Sequence, residues 1–118
     1  MAARYIPERN DIVWLDFEPA KGKEIGKYRP ALVLSGSAYN QATGLLICCP
    51  ISTSLRGALT EVPVTNLDEP SVVVANLVMT MDWKQRHVKK AAVALPGVLE
   101  SVLLRLLPLM GAERLFGR

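Results

Sequence analysis

The chain has 118 residues, half of them hydrophobic and 21% charged, a globular composition with material for one domain and too little for two of ordinary size. Its long apolar runs carry Arg, Asn or Pro, so no membrane span is predicted, and the amino-terminal Met-Ala-Ala-Arg-Tyr-Ile-Pro-Glu-Arg-Asn lacks the apolar core of a secretory leader, which predicts a cytoplasmic location. The net charge of +3 favours a polyanionic partner over a cationic one.

The first predicted element is the strand Asp11-Ile-Val-Trp-Leu-Asp-Phe17, rich in β-branched and aromatic residues. A second strand, Ala31-Leu-Val-Leu-Ser35, follows a loop of unusual chemistry, Lys21-Gly-Lys-Glu-Ile-Gly-Lys-Tyr-Arg29-Pro30. That loop crowds Lys21, Lys23, Lys27 and Arg29 around Glu24 and two glycines. It reads either as an anion-binding loop or as a solvated surface loop whose charges keep the protein soluble. Pro30 biases Arg29 towards extended geometry at the loop's base, which makes Arg29 the best-placed cation.

Next comes a polar, glycine-bounded segment from Gly36 to Gly44 with room for one short helical turn. Leu45-Leu-Ile-Cys-Cys-Pro-Ile51 is a continuous apolar run, as expected of a strand covered on both faces. It delivers the hydroxyls of Ser52, Thr53 and Ser54 to a strand end, where they serve as ligand donors or as simple turn chemistry. Arg56-Gly57 turns the chain into Ala58–Val64, whose alternation predicts a half-exposed strand, and Ser71–Ala75 is another β-branched strand after the turn Asn66–Pro70.

Residues Met79 to Ala94 read as one or two strands containing the basic run Lys84-Gln-Arg-His-Val-Lys-Lys90. On a strand, Lys84, Arg86 and Lys90 share one face while His87 and Lys89 share the other. His87 within that run reads as a surface or binding residue in preference to a general base. The final element is a helix with Leu99, Val102, Leu103, Leu106, Leu107 and Met110 on one stripe, Pro96 in its first turn, Gly111 as its cap and Pro108 shortening its last turn. The stripe is core or a subunit interface.

Cys48 and Cys49 are neighbours in a predicted strand, so they point to opposite faces and read as reduced core residues. With one histidine and no C-x-x-C pair, the ligand set for a zinc site is missing, and the chemistry is expected to need no metal or other cofactor.

In order and spacing, these pieces resemble the MazF/PemK toxins of bacterial type II toxin–antitoxin systems, the ChpB-like members included, over almost the whole chain. The resemblance is carried by Asp11–Pro19, Lys21-Gly-Lys-Glu24, Tyr28-Arg29-Pro30, Ala31–Ser35, Tyr39-Asn40, Thr43-Gly44, Pro50-Ile-Ser-Thr53 and Met81-Asp-Trp-Lys-Gln-Arg86. It implies a mainly β fold, a compact SH3-like barrel of the CcdB/MazF/PemK type with a C-terminal helix, filling residues 1–118 as a single toxin domain. It also implies a homodimer, a MazE-like antitoxin partner, and sequence-specific, metal-independent cleavage of single-stranded RNA to a 2′,3′-cyclic phosphate and a 5′-OH.

Carried over residue by residue, the resemblance makes Arg29, Ser52 and Glu24 the catalytic residues. Serine at 52 replaces the family's threonine and keeps the hydroxyl. Lys21, Lys27, Tyr28, Thr53, Arg56 and Asn76 are the expected RNA contacts. Asn76-Leu77 departs from the Asp-Gln of many members, which implies changed RNA contacts or base preference, with cleavage retained. Two other readings use the same residues: a non-catalytic nucleic-acid-binding barrel, and a CcdB-like gyrase poison. The second is marked by a carboxyl-terminal Trp-Gly-Ile, where this chain has Leu115-Phe-Gly-Arg118.

Overall fold

The computed structural model describes residues 4–117. The first three residues of the stretch read as lacking a leader, and Arg118 of the carboxyl terminus compared with CcdB, lie outside it. The described elements run β1 (Asp11–Asp16), β2 (Tyr28–Val33), α1 (Ser37–Thr43), β3 (Leu45–Ser52), β4 (Glu61–Val64), β5 (Ser71–Val74), β6 (Met79–Asp82), β7 (Lys89–Val93) and α2 (Val98–Leu109). Short 3-10 turns occupy Ala75–Leu77 and Ala112–Phe116.

All strand pairs are antiparallel, in the order β4-β5-β3-β2-β1-β7. Strand β3 is the hub. Its residues Cys48–Pro50 pair with β2 on one side, while the opposite edge is shared lengthwise, Leu45–Cys48 with β6 and Ile51–Ser52 with β5. One long strand serving three partners forces the sheet to curl, because twist accumulates along it. The result is the mainly β architecture expected: a curled antiparallel half-barrel with a C-terminal helix.

Strand alternation divides the core into two layers. Val13, Leu15, Ala31, Val33, Leu46 and Cys48 share one face of the sheet and cluster with Phe17, Met81 and Trp83 in an inner layer. Ile12, Leu32, Cys49 and Ile51 point the other way, onto Val62, Val64, Val73 and Val102 of α2. Both cysteines are free and fully buried on opposite faces. Each large aliphatic side chain in these layers contributes about 1.5–3 kcal/mol from burial.

One polar residue braces the inner layer. Asn40 is fully buried, donates Nδ2 to Pro7 O at 2.8 Å and Ser35 O at 3.1 Å, and accepts Ser35 Oγ–H at 2.6 Å. Its own carbonyl accepts Trp83 Nε1–H at 3.0 Å. The amino-terminal segment, the chain just past β2 and the turn after β6 are thereby tied to one residue of α1.

Several boundaries differ from the sequence reading. Tyr28 and Arg29 already belong to β2, because Asp16 and Leu15 pair with them. The strand expected over 58–64 begins only at Glu61, the preceding residues being held as a loop by the Glu61 carboxylate. Residues 83–87 are a turn, so the expected shared faces of Lys84, Arg86 and Lys90 do not exist. Asp82 Oδ1 caps that turn by accepting the N–H groups of Lys84 and Gln85, which is cheaper than extending the strand. Helix α2 starts after Gly97, leaving Pro96 outside it, and ends one residue past Pro108, with Gly111 at φ 73 donating to Pro108 O. Of its stripe, Val102 and Leu106 are buried, whereas Met110 is 62% exposed. Among the described residues no helix is long and apolar enough to cross a membrane.

Candidate active site

The site begins with a register. Ala31 of β2 lies opposite Pro50 of β3, and continuing that pairing by two residues sets Arg29 opposite Ser52. Both share the strand parity of the core layer that contains Ala31, Val33 and Cys48. Thr53 has the opposite parity, with Cys49 and Ile51. The structure shows the consequence: Arg29 and Ser52 line one cleft, and Thr53 lines another on the reverse face beside Trp14, Pro30 and Ile51.

The first cleft has a volume of about 550 Å³. Glu24 and Lys23 come to it from the β1–β2 loop, Arg56 and Ser54 from the β3–β4 loop, and Asn76 and Leu77 from the 3-10 turn after β5. Five of the nine residues nominated from sequence, Glu24, Arg29, Ser52, Arg56 and Asn76, thus share one cavity.

Arg29 is half-buried, and its Nε donates to Gly26 O at 2.6 Å. Fixing Nε points the paired terminal amino groups as a fork towards a ligand. Burial pushes the guanidinium below its usual value and the Glu18 charge draws it back up, and an arginine stays charged throughout. Ser52 Oγ accepts Ser54 N–H at 3.0 Å, which leaves its own proton to donate.

The two loops around the cleft are each braced by a carboxylate. Glu24 Oε1 accepts Lys21 N–H at 2.9 Å, closing a turn, with the Glu24 N–H returned to Lys21 O at 3.0 Å. Glu61 accepts Arg56 N–H at 3.2 Å and Gly57 N–H at 3.1 Å. Glu61 also lines the cleft together with Lys23, Ser54, Thr60 and Leu77, and of these Glu61 and Thr60 were not singled out from the sequence. The only trace of Glu61 in the sequence is its place on the polar phase of an alternating strand.

The remaining nominated residues lie elsewhere. Tyr28 stacks on Trp14 with ring centroids 5.6 Å apart, and its hydroxyl donates to His87 O at 3.1 Å. Its outer side is still 49% exposed. Lys27 sits at φ 72, its N–H bound to Glu18 Oε2 and its carbonyl to Phe17 N–H, while Lys21 is exposed at the loop's far turn. His87 lies at φ 57 in the basic turn and does not line the cleft. Among the described residues no three His, Cys, Asp or Glu side chains gather as a metal site.

A small curled β half-barrel thus sets an arginine, a serine hydroxyl, a carboxylate and a further arginine in one open cleft, a set of groups with the chemistry to bind a phosphate ester. Residues 8–110 match the family of PemK-like, MazF-like toxins of type II toxin–antitoxin systems, and the chain belongs to that family. It is 34% identical over 111 residues to the endoribonuclease toxin MazF of Escherichia coli (strain K12), spanning 94% of this chain and 100% of that one. The crystal structure of MazF (Form-I) from Deinococcus radiodurans superposes with a TM-score of 0.88 at 39% identity, covering 92% of this chain and 99% of its own. A MazE–MazF crystal structure (Form-II) from the same organism matches with a TM-score of 0.82 at 39% identity, covering 92% and 98%.

Proposed function

We propose that the protein is the toxin of a type II toxin–antitoxin system and acts as a metal-independent endoribonuclease on single-stranded RNA. The observation that carries this reading is that Arg29 and Ser52 line one cleft together with Glu24, Arg56 and Asn76.

RNA carries its own nucleophile. The ribose 2′-oxygen attacks the adjacent phosphorus, the 2′-O–P bond forms, and the P–O5′ bond breaks to leave a 2′,3′-cyclic phosphate and a 5′-OH. The enzyme must align the 2′-OH, take its proton and stabilise charge on the phosphoryl oxygens. The Arg29 fork binds two of those oxygens, and the Ser52 hydroxyl donates to the same phosphate. Glu24, with one carboxylate oxygen free of its turn, accepts the 2′-OH proton. The departing O5′ takes a proton from water, to which the cleft is open.

Arg56 and Asn76 bind the chain on either side of the scissile phosphate. Lys21 and Lys27 attract the backbone at longer range, and the exposed side of Tyr28 offers a surface on which a base stacks. Thr53, on the reverse face, meets RNA only where the strand continues around the sheet edge. The working unit is a homodimer in the cytoplasm of a bacterium, silenced by a MazE-like antitoxin. Likeness to a MazF solved together with MazE supports that pairing.

The test is cleavage of long RNA by purified protein in EDTA, followed by sequencing of the fragment 5′ ends. Cuts at a short recurrent sequence, with 5′-OH and cyclic-phosphate ends and no sensitivity to EDTA, are expected. Salt-dependent RNA binding without any cleavage would make the protein a nucleic-acid-binding barrel instead.

A further inference from the structure

The direction of the Arg29 guanidinium depends on more than its strand. Because Nε donates to Gly26 O at 2.6 Å, the fork follows wherever residue 26 sits. Residues 26 and 27 are held from across the loop by one carboxylate: Glu18 Oε2 accepts Lys27 N–H at 2.6 Å, and Oε1 accepts Ala20 N–H at 3.2 Å. Lys27 has φ 72, a left-handed backbone that a non-glycine residue keeps only when its surroundings enforce it. A Cβ on Gly26 would lie 2.6 Å from Glu18 Oε2, so a side chain at 26 would have to displace this carboxylate.

Glu18 is itself rigidly seated. Its N–H donates to Asp16 Oδ1 at 2.9 Å, and its carbonyl accepts from Nη1 of Arg86 in the basic turn. Arg86 Nη1 also donates to Asp16 O at 3.2 Å, so the turn after β6 clamps the root of the loop. The Glu18 charge acts on the Arg29 guanidinium, yet Glu18 does not line the cleft.

We propose that Glu18 is a positioning residue for Arg29, holding the strained Lys27 backbone so that the Gly26 carbonyl aims the guanidinium fork into the cleft. The inference rests on reading Arg29 as the phosphate-binding group. Glu18 touches no substrate; it acts through the backbone of residues 26 and 27.

The experiment combines kinetics with an NMR signal that does not depend on activity, the Nε–H resonance of Arg29, identified by its disappearance in Arg29→Ala. In Glu18→Ala this resonance is expected to collapse to the position of a free arginine, with kcat for RNA cleavage falling about 100-fold, the scale of a misaligned reacting group. KM should move by less than about threefold, because the loss concerns alignment in the transition state. Glu18→Gln retains an oxygen that accepts Lys27 N–H and should recover most of the rate. In the Arg29→Ala background, Glu18→Ala should cost nothing further.

An unchanged Arg29 Nε–H resonance in Glu18→Ala, or an equal loss of rate with and without Arg29, would overturn the proposal. If Arg29→Ala cleaves like the wild type, the phosphate reading of Arg29 fails, while the resonance still decides whether Glu18 positions it. If Glu18→Ala does not fold, Gly26→Ala takes its place, because its methyl pushes against Glu18 Oε2 and should displace the same resonance.

Discussion

At Arg29, structural and functional roles separate cleanly. The side chain gives the fold one hydrogen bond from Nε, worth about 1 kcal/mol, and gives the cleft its bidentate fork. Arg29→Ala is therefore expected to lower cleavage by about 10²–10³-fold while shifting the thermal midpoint by only a few degrees, as single-turnover assays and a melting curve will show. The serine and threonine that follow Ile51 make a sharper comparison, because strand parity sends them to different clefts. Ser52→Ala should cost at least about tenfold in kcat through the lost hydroxyl donor, whereas Thr53→Ala should stay close to wild type and Ser52→Thr should remain active. The reverse ranking would mean that the phosphate lies on the other face of the sheet.

Strand β3 shows how a continuous apolar run is used by an element that is covered on both sides. Its adjacent cysteines enter different core layers, and burial raises both thiols: Cys49 is pushed up from 9.0 to about 12, and Cys48, beside it, further still. In the unfolded chain both thiols ionise at their ordinary values, so between pH 9 and about 12 the unfolded state binds fewer protons than the folded one and stability falls as pH rises. Below the unfolded value the full contribution is present. Urea titrations at stepwise higher pH should show this decline, and a thiol reagent at pH 8 should label neither cysteine until the protein unfolds. The same strand explains why the basic run near residue 87 did not become a strand face. Only Leu45–Cys48 were open for β6 to pair with, and the chain turns as soon as that edge is used.

At the scale of the whole molecule, three cations, Lys23, Arg29 and Arg56, line one opening. Lys21 and Lys27 are exposed on the same β1–β2 loop that brings Lys23 to the cleft. An acidic, disordered antitoxin tail would compete with RNA phosphates for these charges and order only on binding. We expect RNA carrying a 2′-deoxy sugar at the cleavage position to be displaced stoichiometrically by the cognate antitoxin tail in fluorescence anisotropy. Both affinities should weaken as salt rises. Full occupancy by both ligands at once would locate the antitoxin elsewhere, with the exposed Leu104, Leu109 and Met110 around α2 the surface to probe next.

The residue pattern by itself determined the strands, the C-terminal helix stripe, the opposed cysteines and the cationic loop, because these follow from short-range periodicity and from glycine and proline stereochemistry. The family motif order added Arg29, Ser52 and Glu24. What only the tertiary structure decided were the relations across the sheet: that Arg29 faces Ser52, that Thr53 and the stacked Tyr28 lie off the cleft, and that Glu61 braces the loop carrying Arg56. Residues 83–87 became a turn for the same reason, since pairing with β3 had a fixed length. Register, partner edges and the backbone donors captured by a carboxylate are set between segments far apart in the chain. Local propensity carries no record of them.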